Sequence, residues 1–229
     1  MDPSLLAYGL IGGVLPALIW LYFWQREDKK RPEPVGLLLR TFFFGAVAVI
    51  LVLPFQRIVA ENIVEIGAIT FLLWAVTEEI FKFAAAYFGG LHSPEDNEPI
   101  DPLIYMITAA LGFVALENTL FLINPQIASN FGEGLITGNL RFIGASLLHV
   151  VSSGIVGAAL ALTFYKGKWH RIGASILGLI AAIVVHALFN IFLMKADSLG
   201  AFYVFATVWG AVALLLLFFE KAKKIRRRK

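Results

Sequence analysis

Between the apolar runs Phe71-Leu72-Leu73-Trp74-Ala75-Val76 and Phe83-Ala84-Ala85-Ala86-Tyr87-Phe88 the chain places Glu78, Glu79 and Lys82. A charge at the centre of a membrane helix costs about 2.5 to 3.5 kcal/mol on insertion scales. Three within five residues therefore need compensation and mark a functional site. On a helix, Lys82 lies four residues from Glu78 and three from Glu79, so it can reach either carboxylate. Glu117, followed by Asn118 in Gly-Phe-Val-Ala-Leu-Glu-Asn, adds a third acid. With all three ionised beside one Lys the formal charge is −2, which protons or a cation must relieve.

His149 and His186 are the groups able to meet that need, as proton acceptors or as metal ligands. His186 and Asn190 lie four residues apart on one helix face, which suits a general base or metal ligand beside an oxyanion donor. Ser152 and Ser153 follow His149 by one turn, but Val151-Ser152-Ser153-Gly154 is not the Gly-x-Ser-Gly of rhomboid-type serine proteases. The Gly-x-Gly-Asp of aspartyl membrane proteases and His-Glu-x-x-His are absent as well.

The elements that must position these residues are membrane helices. Of 229 residues 59% are hydrophobic and 15% charged, and the apolar runs recur at about 20 residues, which excludes a soluble domain and an outer-membrane barrel. The expectation is an all-α polytopic membrane helix bundle of seven spans, over 5–24, 37–59, 63–88, 103–123, 139–165, 172–194 and 199–219. The first is read as a span and not a signal peptide, because Asp2 precedes it without a base and no small-x-small site closes it. Arg40 is expected to snorkel into the headgroups. Zero cysteines exclude disulfides, thiolate zinc sites and a cysteine nucleophile.

Lys and Arg number four in 25–36, three in 166–171 and seven in 221–229, against Arg57, Arg141 and Lys195 on the other side. By the positive-inside rule the N-terminus is outside and the C-terminus cytoplasmic. The tail 221–229 is a polybasic topology determinant that attracts anionic lipid, and no nucleic-acid partner is expected. The chain reads as a single integral membrane domain, 1–229, with a catalytic core over 63–194. At 1.5 Å per residue, Glu79 lies about 14 Å from the cytoplasmic end of its span, Glu117 and His186 about 21 Å and His149 about 24 Å, so one layer can hold them all.

In order along the chain, Glu78-Glu79-x-x-Lys82, Gly112-Phe113 with Glu117-Asn118, His149, and His186-x-x-x-Asn190 resemble the PrsW family of bacterial intramembrane proteases, related to the CAAX-processing and bacteriocin-processing membrane proteases. Asp101-Pro102 also looks like the family, and Phe121 stands where many members have Tyr. The resemblance covers the third to sixth spans. It implies a protease of the bacterial cytoplasmic membrane that cuts a membrane-embedded, single-span protein such as an anti-sigma factor on its extracytoplasmic side. Two mechanisms fit the residues. In the first, Glu78 or Glu79 with His149 activates water and His186 with Asn190 stabilises the oxyanion. In the second, His149, His186 and Glu79 or Glu117 hold Zn²⁺ and another glutamate is the base. Glu78 is the first choice of base, with Lys82, Glu117 and Asn118 in support. The alternative from another class is a proton- or cation-coupled transporter or channel, against which stands the lack of inverted repeats.

Overall fold

The structure, a computed structural model, describes residues 3–29, 31–63, 65–124 and 144–226. Among them are seven α-helices and no strand: α1 Pro3–Gln25, α2 Val35–Asn62, α3 Ala68–Ala86, α4 Asp101–Leu122, α5 Ser146–Leu162, α6 Lys168–Lys195 and α7 Ser198–Ala222. Five of them, α1, α2, α4, α6 and α7, are long and apolar enough to cross a bilayer. The other two differ for separate reasons. α3 carries Glu78, Glu79 and Lys82, and α5 has 17 residues. The first residues of the expected fifth span, 139–143, and Arg141 with them, lie outside the described residues.

α3 begins five residues later than expected. Ile63 closes α2 in an extended conformation, its N–H donating to Val59 O, and Gly67, also extended, opens α3. At its other end α3 runs on as a π-helical turn, Tyr87–Leu91. That extra turn carries the helix end past residue 88, farther from Glu79 than expected. Arg40, exposed near the start of α2, has a partner in this turn: its Nε and Nη2 donate to Gly89 O at 2.9 and 2.7 Å. A π turn leaves carbonyls without helical partners, and the guanidinium fork takes one up.

α4 is the central helix, packed by α1, α2 and α5. Its residues from Leu103 to Ala115 are buried without a break. This requires backbones to approach closely, and glycine permits it at two reciprocal points. A Cβ on Gly45 of α2 would collide with the carbonyl of Ala109, and one on Gly112 of α4 with the carbonyl of Phe42. Such small-residue contacts give van der Waals packing where water supplies no hydrophobic drive. α3 packs on α2 and α6, and α5 packs on α4, α6 and α7. The outer surface is apolar, with Ile11, Phe43, Leu177 and Leu217 exposed, as suits a bundle solvated by lipid.

Residues 26–29, 31, 97–100, 222, 223, 225 and 226, with Tyr165, line one cavity of about 580 Å³. The α1–α2 loop, the approach to α4, the α5–α6 loop and the end of α7 therefore share one end of the bundle. An antiparallel succession of seven helices produces this arrangement.

Candidate active site

α3, α4, α5 and α6 bring Glu78, Glu79, Lys82, Glu117, His149 and His186 into one polar cluster inside an apolar bundle. Glu79 and Lys82 are fully buried, and Glu78, His149 and His186 are each at most 5% exposed. Glu79 is the hub. Its Oε1 accepts from Lys82 Nζ at 2.5 Å, from His186 Nδ1 at 2.6 Å and from Ser152 Oγ at 2.9 Å. Of the two carboxylates Lys82 can reach, it thus pairs with Glu79 and not Glu78. Packing makes the choice: Ser152 on α5 and His186 on α6 gather on Glu79, while Glu78 turns towards α2. Burial of the pair requires this density of partners, because an ion out of water repays its desolvation only through close, hydrogen-bonded contacts. The ammonium also sits 5.4 Å from the Phe113 ring centroid, a cation–π contact.

These contacts settle the ring protons. Lys82 Nζ lies 3.0 Å from His149 Nδ1 and can only donate, so Nδ1 carries the lone pair and the proton sits on Nε2. Nε2 faces Glu117 Oε2 at 3.3 Å. On His186 the order is reversed. Glu79 Oε1, already serving Lys82 and Ser152, has no proton to offer, so Nδ1 donates to it, which in the neutral imidazole leaves the lone pair on Nε2. That lone pair faces Glu78 Oε2 at 3.6 Å. Carboxylate, imidazole and a second ring nitrogen in that order fix the orientation of the ring.

Glu78 is held from the other side. Gln56 Nε2 donates to its Oε1 at 2.8 Å, and Trp74 Nε1 donates to the Gln56 carbonyl at 3.2 Å. Glu78 Oε2 is buried without a hydrogen-bond partner. Two acceptors, Glu78 Oε2 and His186 Nε2, thus face each other, a pair that attracts a proton donor or a cation. Glu78, His149 and His186 also each offer a ligand atom within 4.8 Å of the others. The carboxylate that converges with both histidines is Glu78; Glu79 is taken up in orienting His186 and Lys82, and Glu117 faces the other nitrogen of His149.

Two expected members stand apart from this network. Asn118 donates to Ser146 Oγ at 3.3 Å, joining α4 to α5. Asn190, half-buried one turn beyond His186, makes no hydrogen bond among the described residues. Gln56, Trp74 and Ser152 also belong to the network, and none is expected in it from the sequence. Gln56 near the end of an apolar span reads as an ordinary interfacial residue, and Trp74 as part of the apolar run before Glu78. Ser152 is dismissed as a nucleophile, while its contact with Glu79 depends on how α5 meets α3.

The family model of the PrsW intramembrane metalloproteases matches residues 33–219. The chain is similar to Protease PrsW of Geobacillus kaustophilus, 32% identical over 158 residues, covering 68% of this chain and 64% of that protein. It is 27% identical over 190 residues to Protease PrsW of Halalkalibacterium halodurans, covering 81% and 83%. It is 26% identical over 216 residues to Protease PrsW of Bacillus subtilis, covering 93% and 94%. No solved structure matches.

Proposed function

Since this chain belongs to the PrsW family of intramembrane metalloproteases, we propose that it hydrolyses its substrate at the Glu78–His186 pair, with Glu78 as the group that takes a proton from the attacking water. The chain is a multi-pass membrane protease, and the family match does not favour a transporter. The observation that carries the reading is the opposition of Glu78 Oε2 and His186 Nε2 at 3.6 Å, both acceptors and both buried. A water there donates to both and keeps its lone pairs for an electrophile.

Glu78 Oε2 takes one water proton as the oxygen bonds to the scissile carbonyl carbon. The C–N bond then breaks as Glu78 returns that proton to the amine nitrogen. Gln56 holds Glu78 through its other oxygen, and Glu79 and Lys82 hold the rings of His186 and His149. Asn190, with its carboxamide uncommitted on the helix face of His186, is the proposed oxyanion donor. The residues also fit a metal, because three donors converge and the cluster has a formal charge of −2. Zn²⁺ held by Glu78, His149 and His186 would polarise the carbonyl and acidify water. Glu117, whose Oε2 lies 3.3 Å from His149 Nε2, would then be the proton acceptor.

The substrate proposed is a single-span membrane protein, an anti-sigma factor by the resemblance of the motifs. The proposed orientation puts the N-terminus outside and the basic loops and tail in the cytoplasm, the tail against anionic lipid. Reporters fused after Gly36 and Gly132 should lie on opposite sides; the same side for both rejects this topology. For the chemistry, the full-length protein is co-expressed with tagged single-span proteins, and Glu78→Gln, His149→Ala and His186→Ala are compared with wild type. Cleavage fragments that persist in all three inserted variants remove this site from the mechanism. Elemental analysis of the purified protein, with activity after chelation, decides between the metal-dependent and metal-free forms.

A further inference from the structure

A second group of buried acids lies at the end of the bundle that carries the basic loops. Asp28 and Glu33 come from the α1–α2 loop and Asp101 from the first turn of α4. They are 5%, 9% and 1% exposed, and each offers an oxygen within 4.8 Å of the other two. Along α4, Asp101 is 16 residues from Glu117, or about 24 Å. The cluster is therefore separate from the catalytic one.

Three neighbouring bases are committed elsewhere. Arg31 pairs with Glu98 at 2.9 Å, Lys223 with Glu27 and Glu220 at 2.7 Å, and Arg171 with Asp96 at 3.0 Å. What the three acids receive is neutral donors. The N–H groups of Asn97 and Glu98 donate to Asp101 Oδ2 at 2.8 and 2.6 Å, and the Tyr105 hydroxyl donates to Glu33. Asp28 Oδ2 is buried with no hydrogen-bond partner. Neutral donors satisfy lone pairs but leave a formal charge of −3.

We propose that Asp28, Glu33 and Asp101 bind a hard divalent cation of the Mg²⁺ or Ca²⁺ class, which ties the α1–α2 loop to the head of α4. The donors are all oxygens, which excludes a thiophilic metal and suits a hard one. Three carboxylates against one divalent ion leave −1, and the orphaned Asp28 oxygen gains a partner. The competing compensation is protons alone. Burial, and next the Asp101 carboxylate, push the Glu33 carboxyl up to about 9, so a proton shared by Glu33 and Asp101 is available. That proton leaves Asp28 Oδ2 unserved, whereas a cation serves all three. Asp28 lines the cavity of about 580 Å³, which provides an entry path for a hydrated ion.

The test counts Mn²⁺ bound to the purified full-length protein in detergent by the loss of its free-ion electron paramagnetic resonance signal. Mg²⁺ and Ca²⁺ serve as competitors. The His149→Ala/His186→Ala variant removes the intramembrane donors and leaves the triad intact. It should keep one Mn²⁺ site that Mg²⁺ or Ca²⁺ displaces. Asp28→Asn or Glu33→Gln in that background should weaken the site at least about tenfold. The same competing ion should raise the thermal midpoint of the double-histidine protein and leave that of the triad variants unmoved. The proposal is overturned if the intact triad binds no Mn²⁺ and none of the three ions moves the midpoint, a result that needs no triad variant to fold. Equal affinity in folded Asp28→Asn and Glu33→Gln proteins also overturns it, and protons then carry the compensation. None of these outcomes bears on the proteolysis reading, which is decided by cleavage.

Discussion

The intramembrane cluster buries two carboxylates, Glu78 and Glu79, the acid triad at the loop end buries three, and the two groups are compensated in opposite ways. In the first, Lys82 is built into the same helix as Glu78 and Glu79. It gives Glu79 an ion pair and His149 a hydrogen bond. In the second, no described base pairs with Asp28, Glu33 or Asp101, and only neutral N–H and O–H donors reach them. An internal cation makes a charged site rigid, with each ring tautomer dictated by its neighbours. Acids without one depend on what the surroundings supply, whether protons or ions. The contrast fits position: the lipid-embedded site must carry its own counter-charge, while the loop-end site borders a cavity.

Changes that leave the internal cation in place but remove the acceptor should have the largest effect on function. Glu78→Gln keeps the size of the side chain and loses the base, so cleavage of a tagged substrate should fall by about 10²- to 10⁴-fold while insertion and helix content stay unchanged. Next in size is the removal of the counter-charge. Lys82→Met strands the Glu79 carboxylate and should destabilise the bundle by about 3 to 5 kcal/mol, read as a lowered unfolding midpoint in mixed micelles. Adding Glu79→Gln should restore much of that loss. If the double variant is no more stable than Lys82→Met alone, the ion pair is not what holds the cluster.

Gln56→Leu tests whether Glu78 needs positioning. It leaves a buried carboxylate oxygen without its donor and should lower kcat/KM by about tenfold, with a smaller change on a Glu78→Gln background. The smallest effect belongs to the triad. Chelation of divalent ions should lower the thermal midpoint by only a few degrees, and Asp28→Asn should abolish that sensitivity. A Lys82-containing cluster that proved as chelator-sensitive in stability as the triad would erase the contrast between the two regions.

Much of the architecture was legible before any coordinates. Runs of about 20 apolar residues fix where helices can lie, because an unpaired backbone in lipid is prohibitive. Charges inside such runs are costly enough that Glu78, Glu79, Lys82, Glu117, His149 and His186 stand out by residue type alone. Gly112 and Phe113 were visible as a motif but not as a cause. One admits the Phe42 backbone and the other lies against the Lys82 ammonium.

What the sequence by itself determined, then, is the set of helices and the membership of the polar cluster, since both follow from local composition and the energetic penalty of placing charge in lipid. Which carboxylate Lys82 takes, which ring nitrogen faces it and which glutamate converges with both histidines were decided only by tertiary packing. On an isolated helix the i,i+3 and i,i+4 pairings are nearly equivalent. The choice comes from Ser152, His186 and Gln56, which approach from helices distant in sequence. The acid triad is the extreme case. Asp28, Glu33 and Asp101 share no helical period; the first two read as ordinary loop acids and Asp101 only as part of a family motif until the fold buries all three together.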